Sequence, residues 1–251
     1  MKIANAPGYL DKLSAVYPLQ TNPSRPLPAI IKPRLKTAFE KKDSKTLIKL
    51  LIANAKVFPV KESYLGFLKA KPQAIDENPK TLNRIAKRLY SLGFDAMVKG
   101  AENPIETNRQ LGPMFKNWLG QIGYPVLSES QFLASTTGIK LLAGSDAVLA
   151  KFAKHELGCK LSKGIDLVAK ANEIYVIGEA KFLTTPGGEQ NGGFADAYSV
   201  VSQTSGNAQR IAIIDGFVWL QGAGGSTYRK IIDSNKDIMS ALLLKDYLAS
   251  L

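Results

Sequence analysis

Cysteine and histidine are almost missing from this chain: Cys159 and His155 are the only ones in 251 residues. A single cysteine excludes an internal disulfide and any cysteine zinc cluster. A single histidine excludes centres that need two or more, including the helical zinc motif and histidine-rich nucleases. His155 falls in the last turn of a helix expected from Asp146 to Leu157, where a cation suits the dipole. No apolar run reaches 18 residues, so no membrane span is expected. The opening stretch MKIANAPGYLDKLS lacks the apolar core of a secretory signal. Phosphate-loop motifs are missing too. The GAGG run at 222–225 is followed by no Lys-Ser/Thr pair, and no GxGxxG occurs.

Negative charge is the scarcer sign. The chain has 33 Lys+Arg against 21 Asp+Glu, a net of +12. Residues 1–100 hold 19 basic and 7 acidic residues, whereas residues 101–251 hold 14 of each. The whole excess lies in the N-terminal part, which would draw a polyanionic partner there. A solubilising surface is the competing account of these scattered lysines.

Proline marks the first 35 residues (Pro7, Pro18, Pro23, Pro26, Pro28, Pro33), which reads as an extended arm or irregular packing without a helix. Helical patterns follow at about 35–57, 61–70 and 79–93. In the last, Leu82, Ile85, Ala86 and Leu89 share one face, Arg84, Lys87 and Arg88 lie opposite, and Gly93 ends the helix. A helix is expected from Asn108 to Leu119, with Phe115 and Trp118 inward. After residue 183 the pattern predicts a Gly-rich loop (184–193), a helix over 194–203, strands at 210–214 and 217–220, and a helix over 236–251. The expected architecture is α/β (mixed α+β): a basic, mainly helical region at 1–110 that contacts DNA, and a core at 111–251. In the core, a mixed central sheet is flanked by helices.

The chemistry concentrates in GIDLVAKANEIYVIGEAK, residues 164–181. Two short runs rich in apolar and β-branched residues read as adjacent strands. With Ala171-Asn172 as the turn, Lys170 pairs with Glu173 and Asp166 with Ile177. Paired residues share a face, as do residues two apart along a strand. Asp166, Glu179 and Lys181 then point the same way, with Asp166 and Glu179 roughly 7–8 Å apart on the diagonal. Two carboxylates and a lysine so arranged can hold Mg²⁺ against a phosphodiester and position a water. Charged side chains in strands this apolar are costly without a partner, which favours a functional reading over an ordinary hairpin.

The segments KGIDLVAK and GEAKFLTTPGGEQNGGFADA, with ETNRQLGPMFKNWL and LLAGSDAVLAKFAKHELG upstream, resemble the PD-(D/E)XK nuclease superfamily. Within it they resemble type II restriction endonucleases, over about residues 80 to 220. Ile165 stands where the superfamily name has proline. The resemblance implies that Asp166, Glu179 and the Ala180 carbonyl ligate Mg²⁺, while Lys181 orients or helps deprotonate water. It implies Glu156 as a further acidic residue from the helix preceding the first catalytic strand, with a solvated helix residue as the alternative. It also implies a homodimer on double-stranded DNA, a cognate methyltransferase, and a cytoplasmic bacterial or archaeal setting. Candidate DNA contacts are Asn108, Arg109 and Gln110, whose side-chain types suit base edges, Gln190 and Asn191 beside the catalytic strand, and Lys163 and Arg229. Helix caps and ordinary loops compete with this reading. A structure-selective repair or junction-resolving nuclease, and a non-catalytic basic DNA-binding module, are the alternative functions.

Overall fold

The computed structural model of the protein describes residues 7–18, 25–104, 110–184, 189–220 and 225–251. The chain divides into two compact units, residues 20–107 and residues 1–19 with 108–251.

A short helix, α1 (Tyr9–Leu13), belongs to the second unit. This differs from the helix-free arm expected for residues 1–35. Tyr9, Leu13, Val16 and Tyr17 are buried in the core of the sheet unit, so tertiary packing orders a segment whose prolines argue against helix.

The helical unit comprises α2 (Ile31–Glu40), α3 (Ser44–Asn54), α4 (Leu65–Ala70), α5 (Ala74–Glu77), α6 (Pro79–Leu92) and α7 (Phe94–Ala101). The helix expected over 35–57 is two helices. Lys42 takes φ +57°, and the Asp43 side chain accepts from the Thr46 N–H to cap α3. α6 follows its pattern: Ile85, Ala86 and Leu89 are buried, Arg84, Lys87 and Arg88 are exposed, and Gly93 ends it at φ +79°. These helices enclose one core that includes Leu35, Leu47, Ile48, Leu51, Leu89 and Met97.

The second unit continues with α8 (Leu111–Leu119), β1 (Val126–Leu127), α9 (Glu129–Ala134), β2 (Ile139–Leu142), α10 (Asp146–His155), β3 (Leu167–Ala171) and β4 (Ile174–Leu183). After these come α11 (Glu189–Ser202), β5 (Gln209–Gly216), a 3-10 turn (Phe217–Trp219), α12 (Gly225–Ile232), β6 (Asp237–Met239), a second 3-10 turn (Ala241–Leu243) and α13 (Leu244–Ala249). The six strands form one mixed sheet in chain order. β3 is antiparallel to β2 and β4, whereas β4–β5 and β5–β6 are parallel. The mixed α/β architecture expected from the pattern of elements is present.

Three local expectations are corrected. Residues 217–220 form no strand: Gly216 turns the chain at φ +99°, the Leu220 N–H donates to the Phe217 carbonyl at 2.9 Å to close a 3-10 turn, and Trp219 Nε1 donates back to the Ile214 carbonyl. The stretch 236–251 is not one helix, because residues 237–239 pair with Ile211–Ile213 on β5. The Ser240 hydroxyl then accepts from the Leu242 N–H and starts the next turn. The Gly-rich stretch is helical from Glu189 onward, so the backbone of Gln190 and Asn191 opens α11 instead of lying in a loop.

Candidate active site

The two catalytic-candidate strands meet in a register two residues away from the expected one. Ala171 pairs with Ile174, Val168 with Ile177 and Leu167 with Gly178, so the turn is Asn172-Glu173, with Asn172 at φ +53°. Asparagine tolerates that left-handed conformation, and the Asn172 carboxamide oxygen accepts from the Gly138 N–H at 3.0 Å. Because strand side chains alternate with period two, a shift of two changes the partner and keeps the face. Asp166 therefore arrives beside Glu179 and Ala180 instead of opposite Ile177. Its N–H donates to the Gly178 carbonyl, and its Oδ2 accepts from the Ala180 N–H, both at 3.0 Å.

Glu179 is buried, with 5 % of its side chain exposed, and its Oε1 lies 2.7 Å from Lys181 Nζ and 3.3 Å from Lys163 Nζ. Burial alone would pull the Lys181 ammonium down. The Glu179 hydrogen bond and the charges of Glu179, Asp166 and Asp196 outweigh it and hold Lys181 above the ordinary lysine range. The site thus has a buried carboxylate bracketed by two cations, with a second carboxylate turned onto the strand backbone.

α10 and α11 supply the surroundings. The Asp146 carbonyl at the start of α10 accepts from the Ile165 N–H, and a Cβ on Gly164 would lie 2.6 Å from Asp146 Cβ. Glycine at 164 thus permits the close approach that brings α10 to the entrance of β3. Lys116 of α8 pairs with the Asp146 carboxylate, and Lys116 and Asp166 line one small cavity. From α11, the Asp196 carboxylate meets Lys163 at 2.6 Å. Asp146, Lys116 and Asp196 were not found from sequence. Their only signal was position within segments already singled out, since their partners are distant along the chain.

Of the sequence-predicted residues, Asp166, Glu179, Ala180, Lys181 and Lys163 come together. Glu156 does not join them. It is exposed at the far end of α10, ten residues and about 15 Å from Asp146. The adjoining Leu157 carbonyl accepts from the Asn207 N–H, near the start of β5, whereas Glu179 lies level with Ala212 further along that strand. Arg229 is exposed in the last turn of α12, which is helix from Gly225 where a loop was expected. Gln110 is half-buried immediately before α8. Asn108 and Arg109 lie outside the described residues.

Among the described residues, no cluster of three or more His, Cys, Asp or Glu converges as a metal cage. The donors at Asp166 and Glu179 are hard carboxylate oxygens. That set fits Mg²⁺, which is commonly held by one or two carboxylates and keeps several waters. No described helix is long and apolar enough to cross a membrane.

A mixed sheet flanked by helices, with paired carboxylates and lysines at the end of its longest strand, is consistent with the restriction-endonuclease-like fold. The whole chain, residues 1–251, matches the Tsp45I type II restriction enzyme family, and the chain belongs to that family. It is accordingly a type II restriction enzyme, a site-specific deoxyribonuclease acting on double-stranded DNA. No curated protein and no solved structure matches it.

Proposed function

We propose that this restriction enzyme cuts double-stranded DNA through a Mg²⁺-dependent centre of the PD-(D/E)XK type, leaving 5′-phosphate and 3′-hydroxyl ends. The observation that carries the reading is the convergence of Asp166, Glu179 and Lys181 at the end of β4.

Asp166 and Glu179 are the residues to hold the ion. The Ala180 carbonyl completes the set, because N–H and C=O of one extended residue face the same strand edge and the Ala180 N–H faces Asp166. Bound there, Mg²⁺ would polarise the scissile phosphate and lower the pKa of a coordinated water. Lys181 orients the attacking water and offsets negative charge as the phosphate is attacked in line. Lys163 is a second ammonium for a phosphate oxygen. The basic N-terminal region, residues 1–110, draws the duplex electrostatically. Two cuts on antiparallel strands call for two sites related by a two-fold axis, hence a homodimer. A cognate methyltransferase protects host DNA.

Plasmid digestion with and without Mg²⁺, beside Asp166→Ala and Lys181→Ala, tests this reading. Discrete fragments from the parent protein that need Mg²⁺, with both variants inactive, are expected. Undiminished cleavage by Lys181→Ala, or by the parent in excess chelator, would sink it. A smear with the same requirements would move the reading to a structure-selective nuclease.

A further inference from the structure

α11 crosses β4 beside the catalytic residues. A Cβ on Gly193 would lie 3.7 Å from Lys181 Cδ, and Ala197 is fully buried. Between them, Asp196 reaches the margin of the site, where its carboxylate holds Lys163 at 2.6 Å. Lys163 is therefore shared: 2.6 Å to Asp196 and 3.3 Å to Glu179. Glu179 is shared in turn, since the same oxygen meets Lys181 at 2.7 Å.

This sharing matters when an ion is held by Glu179. The Glu179 carboxylate would then be divided between the ion and both ammoniums, and the added positive charge would push Lys163 and Lys181 away. Lys163 then keeps a carboxylate only through Asp196, which stands on a separate helix. The pair is half-exposed, 36 % for Lys163 and 50 % for Asp196, and ion pairs that open contribute little to folding. Its placement suits orientation of a charge at the mouth of the site.

We propose that Asp196 is a positioning residue that holds the Lys163 ammonium at the entrance of the site, ready for a DNA phosphate. The proposal rests on reading Asp166, Glu179 and Lys181 as the catalytic centre.

The test is plasmid-cleavage kinetics in saturating Mg²⁺ for Asp196→Asn, Asp196→Glu, Lys163→Ala and the Lys163→Ala/Asp196→Asn double variant. Asp196→Asn is expected to lower kcat/KM roughly tenfold. Asp196→Glu should recover most of that loss. The double variant should be no slower than Lys163→Ala alone, because one residue acts through the other. Melting temperatures should stay within about 2 °C of the parent, as for a surface ion pair. Full activity of Asp196→Asn, an independent loss in the Lys163→Ala background, or a large drop in melting temperature in both Asp196 variants would each overturn the proposal. Asp166→Ala run alongside separates the two readings. If it cleaves normally, the catalytic centre itself is misassigned; if it is inactive while the Asp196 and Lys163 losses add, only the role of Asp196 fails.

Discussion

Asp215 has no exposed surface, yet its carboxylate is well provided with donors. Tyr17 donates at 2.9 Å, Tyr9 at 3.3 Å and the Ala241 N–H at 3.1 Å, and the Ser240 hydroxyl completes the set. Burial dominates, and the Asp215 pKa is raised above the usual carboxylate range despite these bonds. An acid raised on folding stabilises the fold most below its ordinary pKa, and the contribution is lost as pH climbs through the raised value. Urea-unfolding free energies of the parent minus those of Asp215→Asn should therefore fall as pH rises from about 4 toward 8. Identical pH slopes would refute this. Tyr17→Phe removes one donor from the buried carboxylate and should cost about 2 kcal/mol in the same assay. The proposed catalytic triplet was legible because charges stood out in strands that otherwise read as apolar. Asp215 and Asp196 were not, because what distinguishes each is a partner 25 to 206 residues away in sequence. For example, Tyr9 reaches Asp215 across 206 residues.

Elements obey the same division between local and long-range causes. α6 was legible to within a residue because its apolar stripe, cationic face and terminal glycine all agree. The β3–β4 register was misplaced by two, since the left-handed residue is Asn172 at the start of the turn. β6 was hidden inside a helical pattern because pairing with β5 decides it. Two glycines make the contrast measurable. Gly216 has φ +99°, and a Cβ there would lie 2.1 Å from the Leu183 carbonyl oxygen. Gly66, inside α4, meets nothing within 4 Å. Gly216→Ala should destabilise by several kcal/mol or prevent folding, through strain and collision together. Gly66→Ala should stabilise by about 0.5–1 kcal/mol in thermal or urea melts. A stable Gly216→Ala protein would show that the β4–β5 end can relax.

For the whole molecule, charge is the property that reaches a partner first. The helical unit spanning residues 20–107 carries most of the excess cations, and α6 presents Arg84, Lys87 and Arg88 outward. Arg84 is held by the nearly buried Glu62 at 3.1 Å and stacks on Tyr64, so part of this face is pre-organised. If this region contacts the duplex, metal-free DNA binding should weaken linearly in log K against log salt. Lys87→Ala and Arg88→Ala should each reduce that slope by about one. An unchanged slope in both would put the duplex elsewhere. The proposed homodimer predicts a sedimenting mass near twice the 27.2 kDa of one chain.

The sequence by itself determined the strand carrying Glu179 and Lys181, the helices whose apolar stripes are regular, and the basic bias of the first hundred residues. Each is a short-range pattern or a sum over composition, and neither needs knowledge of what lies across the fold. Only the tertiary structure decided the rest. It set the hairpin register, brought the start of α10 and not its end to the site, placed Asp196 on Lys163, and drew Tyr9 and Tyr17 onto Asp215. Those outcomes depend on which surfaces pack together, and burial energy from distant residues overrides the weak local preferences of turns, caps and short helices.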